Sequence, residues 1–177
     1  MVENKMVLKA AAAEADASLL QVNSLLLPVA DTALLVPQVA VAEVLSWGEL
    51  GADDLRPEKA ATSPHCYGWV RWRDHDIPLL SFDSVYNGHR PPLDNNLKIV
   101  ICNAVFTASA TGFYALLVTN FPRALRLSLE AEMALEGGPS DKPGVQMEVS
   151  LDGEEVLIPD FEYLEQIVCE IVEQNAS

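Results

Sequence analysis

A mainly β fold of many short strands, arranged as small barrels or a sandwich and closed by one C-terminal helix, is what this sequence predicts. Three observations predict it. Short apolar or alternating runs recur along the chain between clusters of Gly, Pro, Asn and Asp. The dipeptide Asp152-Gly153, whose residues tolerate positive φ, divides two β-patterned runs as the turn of a tight hairpin. Helical spacing is clear in one place, Phe161, Leu164, Ile167, Val168 and Ile171, directly after Pro159-Asp160.

In chain order, residues 1–17 read as a polar tail whose Ala-rich run at 10–13 is too short and too acidic for a signal peptide. Leu19, Leu20, Val22, Leu25, Leu26 and Leu27 then form an apolar run ended by Pro28, and Asp31 supplies a turn into residues 33–36, so a hairpin is expected. Val39, Val41, Val44 and Leu45, with Glu43 between them, fit a short helix or an irregular strand edge. Residues 48–64 are polar and rich in breakers, an exposed connection. Strands at 67–72 and 76–82 follow around a charged bend, and then a loop at 87–96. Residues 98–106 and 113–118 make a second hairpin about the small residues 107–112. Residues 121–129 alternate, although Pro122 limits pairing at their start. Residues 130–144 are acidic and rich in Gly and Pro, a long loop that is mobile or engaged in binding. After the hairpin at Asp152-Gly153, Asp160 is placed to cap the C-terminal helix, and Glu162, Glu165, Glu170 and Glu173 are available to face water. The sum is about nine or ten strands and one helix.

With 177 residues, half of them hydrophobic, the chain has room for one sizeable core or two small fused ones. A net charge of -15 and a pI near 4.4 argue against nucleic acid and against an anionic membrane surface as partners. Proteins or small molecules are left. No run approaches the roughly 20 apolar residues of a membrane span. Cys66, Cys102 and Cys169 are odd in number and far apart, which suits free thiols in a reducing cytosol rather than a disulfide framework or a metal set. A cytoplasmic protein without metal or cofactor is expected.

Catalytic motifs are sparse. There is no Gly-x-Ser-x-Gly elbow, and the nine glycines do not cluster ahead of a helix as a phosphate-binding loop requires. His65 beside Cys66 is the one candidate reactive pair, the basis for a thiol-dependent enzyme, but it needs contact between the two side chains and an oxyanion hole. Asp74, His75 and Asp76 are consecutive in a tight bend, where side chains diverge, and read as a solvated bend rather than a metal site. Around Trp72, period-2 alternation places Val70 and Trp72 on one face and Arg71 and Arg73 on the other, a half-buried strand with an ion-paired outer face. A standalone ligand-binding barrel is the third possibility and needs an enclosed apolar pocket.

One stretch carries a family resemblance. Gly68-Trp69-Val70-Arg71-Trp72-Arg73-Asp74-His75-Asp76-Ile77-Pro78-Leu79-Leu80-Ser81-Phe82 is similar to the pattern Gly-Val-x-Asn-Leu-Arg-Gly-x-Ile-Val-Pro-Ile-x-Asp-Leu of the CheW-like family, the adaptors that couple chemoreceptors to the CheA histidine kinase. Val41-Ala42-Glu43-Val44-Leu45 resembles that family's Val-x-Glu-Ile segment, residues 114–127 its following strand pair, and residues 155–164 its closing strand and helix. These blocks fall in the family's order over about residues 20–168.

The resemblance implies two intertwined five-stranded SH3-like barrels around a shared core with the C-terminal helix packed on them. It implies a flexible tail at 1–17, the CheW-like domain at 18–170 and a C-terminal tail at 171–177. The implied role is a non-catalytic adaptor whose partners are a CheA-type histidine kinase and the cytoplasmic tips of methyl-accepting chemoreceptors, with no cofactor. The partner-binding candidates it transfers are Val41, Glu43, Gly68, Arg73, Ile99 and Ala124, with Glu43 and Arg73 suited to a fork-shaped ion pair. On this reading Arg73→Ala and Gly68→Trp weaken partner binding without unfolding the barrel. Departures from the pattern, Asp74 for Gly, Ser81 for Asp and Thr119-Asn120 for Asp-Gly, suggest a divergent member, such as one from the chemosensory systems of type IV pili and twitching motility.

Overall fold

The computed structural model describes residues 21–50, 54–56, 63–106, 112–128 and 135–176. The expected tail at 1–17, the residues Leu19 and Leu20, and the small residues 107–111 lie outside them. Six strands form a first sheet: β1 (Gln21–Pro28), β2 (Ala33–Pro37), β9 (Arg123–Ser128), β10 (Glu136–Pro139), β11 (Val145–Leu151) and β12 (Glu154–Pro159), in the order β10-β11-β12-β2-β1-β9. Six more form a second: β3 (Val41–Ser46), β4 (Leu55–Arg56), β5 (Cys66–Trp72), β6 (His75–Ser81), β7 (Lys98–Asn103) and β8 (Phe113–Val118), in the order β3-β7-β8-β6-β5-β4. From β1 and β2 in the first sheet the chain goes on to build the whole second sheet and returns at β9, which is what intertwines the two SH3-like units. Among the described residues the α-helices are α1 (Phe82–Tyr86) and α2 (Phe161–Asn175).

Neighbouring residues on the central strands enter different cores. Leu26, Leu35 and Val156 pack inside the first sheet with Leu127 and Val149. Leu79, Ile99, Ile101 and Leu117 pack inside the second with Val70 and Ile77. Their sequence neighbours Leu27, Leu34, Leu157, Leu80, Val100 and Leu116 turn into a third core between the sheets, which Leu164, Val168 and Ile171 of α2 close. Side chains alternate with period 2 along a strand, so a strand covered on both faces reads as a continuous apolar run. Each of the three α2 side chains contributes about 1.5–3 kcal/mol by burial.

The hairpin at Asp152-Gly153 forms as expected, with φ of 53° and 83° at its two turn residues. The Asp160 carboxylate accepts a hydrogen bond from Tyr163 N at 3.0 Å and starts α2. The ambiguous segment after Pro37 resolves into a 3-10 turn (Gln38–Ala40), then β3, with a register shift between Val41 and Glu43.

Four expectations change. The sheets have six strands each rather than five, because β4 and β10, the two shortest, were not legible. The long loop expected over 130–144 contains β10, whose Glu-Gly-Gly-Pro carries no apolar alternation; a Cβ on Gly137 would stand 2.1 Å from Glu148 O, so the neighbouring backbone admits only glycine there. The strand expected over 76–82 ends at Ser81, and α1 follows. The helix runs past residue 170 to Asn175, with Ile171 in the central core.

Glu165 is the clearest correction. It was expected to face water and is fully buried, its two carboxylate oxygens accepting from Val105 N at 2.9 Å and Phe106 N at 2.8 Å. The sequence shows helical spacing, but not that the β7–β8 connection crosses this face of α2.

A second buried carboxylate ties the two units. Asp83 on α1 accepts from Ala30 N, in the turn after β1, at 3.0 Å, and burial raises its pKa above the ordinary carboxylate value. The folded state therefore holds this proton more tightly than the unfolded chain. Stability contributed by the protonated form is fully present below the unfolded pKa of about 3.9 and is lost as pH rises through the higher folded value. Asp83→Asn keeps an acceptor for Ala30 N without burying a charge. Urea unfolding should show the wild type losing stability relative to Asp83→Asn as pH rises from about 4 toward neutrality. An unchanging difference across that range would contradict the assignment.

Candidate protein-interaction site

The β5–β6 turn carries the most developed polar arrangement on the surface of the second sheet. Trp72 pairs with His75, leaving Arg73 and Asp74 as the two turn residues. Arg73 takes φ of 43°, a left-handed conformation uncommon for a residue with a Cβ. The His75 N–H donates to Arg73 O within this bend. Asp74 is not in the left-handed region, so replacing the family's glycine here adds no strain at that position.

From the turn, the Arg73 guanidinium lies 4.7 Å from the Trp72 ring centroid and donates through one nitrogen to Glu43 Oε2 at 2.9 Å. Trp72 Nε1 donates to the same oxygen, also at 2.9 Å. The Glu43–Arg73 pair thus forms, but as one shared oxygen with two donors rather than a fork. Because Glu43 is on the edge strand β3 and Trp72 ends β5, the contact spans the curled sheet between strands far apart in its hydrogen-bonding order. The Trp72 ring is buried edge-on against Phe113 at 4.9 Å, which holds the donor in place. Arg73 pairs with Glu43 and not with Asp74, while Asp76 takes Arg71 and Arg56, each at 3.2 Å, as the ion-paired outer face.

The other four transferred candidates stand apart. Val41 is half-buried at the start of β3 and packs against the central core. Ile99 is fully buried inside the second sheet and shapes the wall from within. Gly68 is buried at a register shift of β5 with φ of 135°, so the backbone itself requires glycine. This removes Gly68→Trp as a clean probe of binding. Ala124 is exposed on β9, at the edge of the other sheet. What the sequence reading missed was Trp72 as the third member of the Glu43–Arg73 arrangement; its alternation marked the ring as buried, with no signal for its N–H.

The remaining departures are accommodated locally. Ser81 Oγ accepts from Ser84 N at 3.2 Å and caps α1, a task serine performs as well as aspartate. Thr119 donates through both N–H and hydroxyl to Pro28 O, at 2.9 and 3.2 Å, and Asn120 Oδ1 accepts from Phe121 N at 2.8 Å.

His65 and Cys66 do not form a reactive pair. The His65 ring engages Ser84 Oγ at 3.0 Å, whereas the buried Cys66 thiol donates to Gly68 O at 3.3 Å. Burial raises the Cys66 pKa and pushes that of Cys102 up to about 12, the reverse of what a thiolate nucleophile needs. Among the described residues no group of three or more His, Cys, Asp and Glu is placed to hold a metal ion, and no helix is long and apolar enough to cross a membrane.

The two interlocked β units carry the Glu43–Trp72–Arg73 clamp on the surface of the second, with the Cys66 and Cys102 thiols buried. The CheW-like domain model matches residues 23–167, and the chain belongs to that family. Its fold is similar to that of the scaffolding protein TtCheW from Thermoanaerobacter tengcongensis, with a TM-score of 0.60 over 78% of this chain and 88% of that chain at 14% identity. No curated protein matches it significantly.

Proposed function

We propose that this chain is a non-catalytic cytoplasmic adaptor that couples the tips of methyl-accepting chemoreceptors to a CheA-type histidine kinase in bacterial chemosensory signalling. Membership of the CheW-like family over residues 23–167 carries the reading. The Glu43–Trp72–Arg73 arrangement supports it: a left-handed, non-glycine residue is held at an exposed turn with its cation oriented by two neighbours, the kind of local strain that gathers at binding sites. On this reading Arg73, Glu43, Val41 and Ala124 meet a partner, and Gly68 and Ile99 keep the wall in shape. A thiol-dependent reaction is disfavoured by the buried, raised Cys66, and a ligand-binding barrel by interiors filled with side chains.

The test is binding of the purified chain to a CheA regulatory domain and to a receptor-tip fragment. The Arg73 side chain is 70% exposed, so removing its ion pair should change folding stability by less than about 1 kcal/mol. Arg73→Ala should nevertheless weaken partner binding about 10-fold or more, as an interface arginine does. No interaction with either partner, with both present, would sink the proposal.

A further inference from the structure

Along one side of α2, Tyr163, Gln166, Glu170 and Gln174 line an open cleft of ≈ 280 Å³, with His65 across from them. Among the described residues, none of these four helix side chains takes part in a hydrogen bond or an ion pair. Opposite them, the Ser84 hydroxyl donates to Pro64 O at 3.0 Å, so its proton is committed and His65 Nδ1, 3.0 Å away, must donate to it. In the neutral ring Nε2 is then an acceptor. Ile167 adds apolar surface to the same cleft.

The charge of the helix is as one-sided as its hydrogen bonding. Residues 161–175 hold four glutamates and no Lys, Arg or His. Glu170 and Glu173 lie in the half where the helix dipole already favours cations, so no basic group of α2 compensates that end. Carboxylate, amide and hydroxyl oxygens beside an apolar floor suit a long cationic side chain, whose stem packs while its donors find acceptors.

We infer that this cleft docks a basic segment of a partner protein, with an arginine side chain entering between α2 and His65 to meet Glu170. The site is separate from the Glu43–Trp72–Arg73 clamp and does not depend on the adaptor reading. A capped peptide, acetyl-Ala-Arg-Ala-amide, and its neutral citrulline counterpart test it against the full ¹⁵N-labelled chain at about 0.1 M salt, where distant surface charges are screened. The arginine peptide should shift the amides of 163–174 and His65, and the citrulline peptide should not. Glu170→Gln should weaken binding about 5-fold, while Glu162→Gln, on an exposed position of the same helix outside the cleft, should leave it unchanged. Shifts spread over the whole acidic surface, equal binding of the citrulline peptide, an unaffected Glu170→Gln, or no binding would each overturn the inference. None of these outcomes requires a kinase or a receptor, so they leave the adaptor proposal to its own test.

Discussion

Gly68→Ala is expected to lower the free energy of unfolding by about 2–6 kcal/mol. Two costs add. At φ of 135° an L side chain carries backbone strain of about 1–3 kcal/mol. The position is also buried, and one extra methyl in a packed interior costs about 1–3 kcal/mol when the surroundings must shift. In a domain of this size the midpoint of thermal unfolding should fall by roughly 5–12 °C. Denaturant unfolding checks the figure, and a variant within about 0.5 kcal/mol of wild type would show that the bulge relaxes freely. A loss of partner binding in Gly68 variants would then report damage to β5, not a lost contact.

Glu165→Ala should cost about 3 kcal/mol, because two backbone donors lose charge-assisted bonds at once. Glu165→Gln should recover about half of it, since one amide oxygen remains to accept from Val105 N or Phe106 N while the NH₂ group faces the other donor. Hydrogen exchange at these two amides separates the local effect from a global one. Both should lose protection in Glu165→Ala before β7 and β8 do. Unchanged protection at Val105 and Phe106 would exclude the carboxylate as the clamp on this connection. Burial makes this removal more costly than loss of a cap on an open surface, where water replaces the lost acceptor; Cys102 and Tyr114 lie close by with pKa values raised mainly by burial, and the Glu165 charge adds to both shifts.

Much of the local structure was legible because each element has a local cause. Alternation at Val70 and Trp72 placed Arg71 and Arg73 outside, positive-φ tolerance at Asp152-Gly153 marked a hairpin, and Asp160 marked a helix start. β10 was not legible, since Gly137 is chosen by the Glu148 backbone of the neighbouring strand and not by any pattern of its own. Nor was the burial of Glu165 legible, because helical periodicity gives a residue's angle on the helix but not what lies across from it.

For the candidate site the division is similar. The Glu43–Arg73 pair was anticipated from residue type and family pattern, because opposite charges at matched blocks are a sequence property. Trp72 as co-donor, the engagement of His65 by Ser84 and the interior position of Ile99 were not, because each depends on how the second sheet curls.

By itself, then, the sequence determined that the chain folds as short strands with a closing helix, that it is strongly acidic, and that it carries the CheW-like blocks in order. Those are properties of local periodicity, composition and motif spacing. Only the tertiary structure decided that β1 and β2 join the C-terminal strands, that consecutive apolar residues divide among three cores, and that a glutamate in α2 anchors the β7–β8 connection. The physical reason is range: φ preferences and side-chain alternation act over a few residues, whereas Glu165 with Phe106, Asp83 with Ala30 and Trp72 with Glu43 meet across separations of 59, 53 and 29 residues.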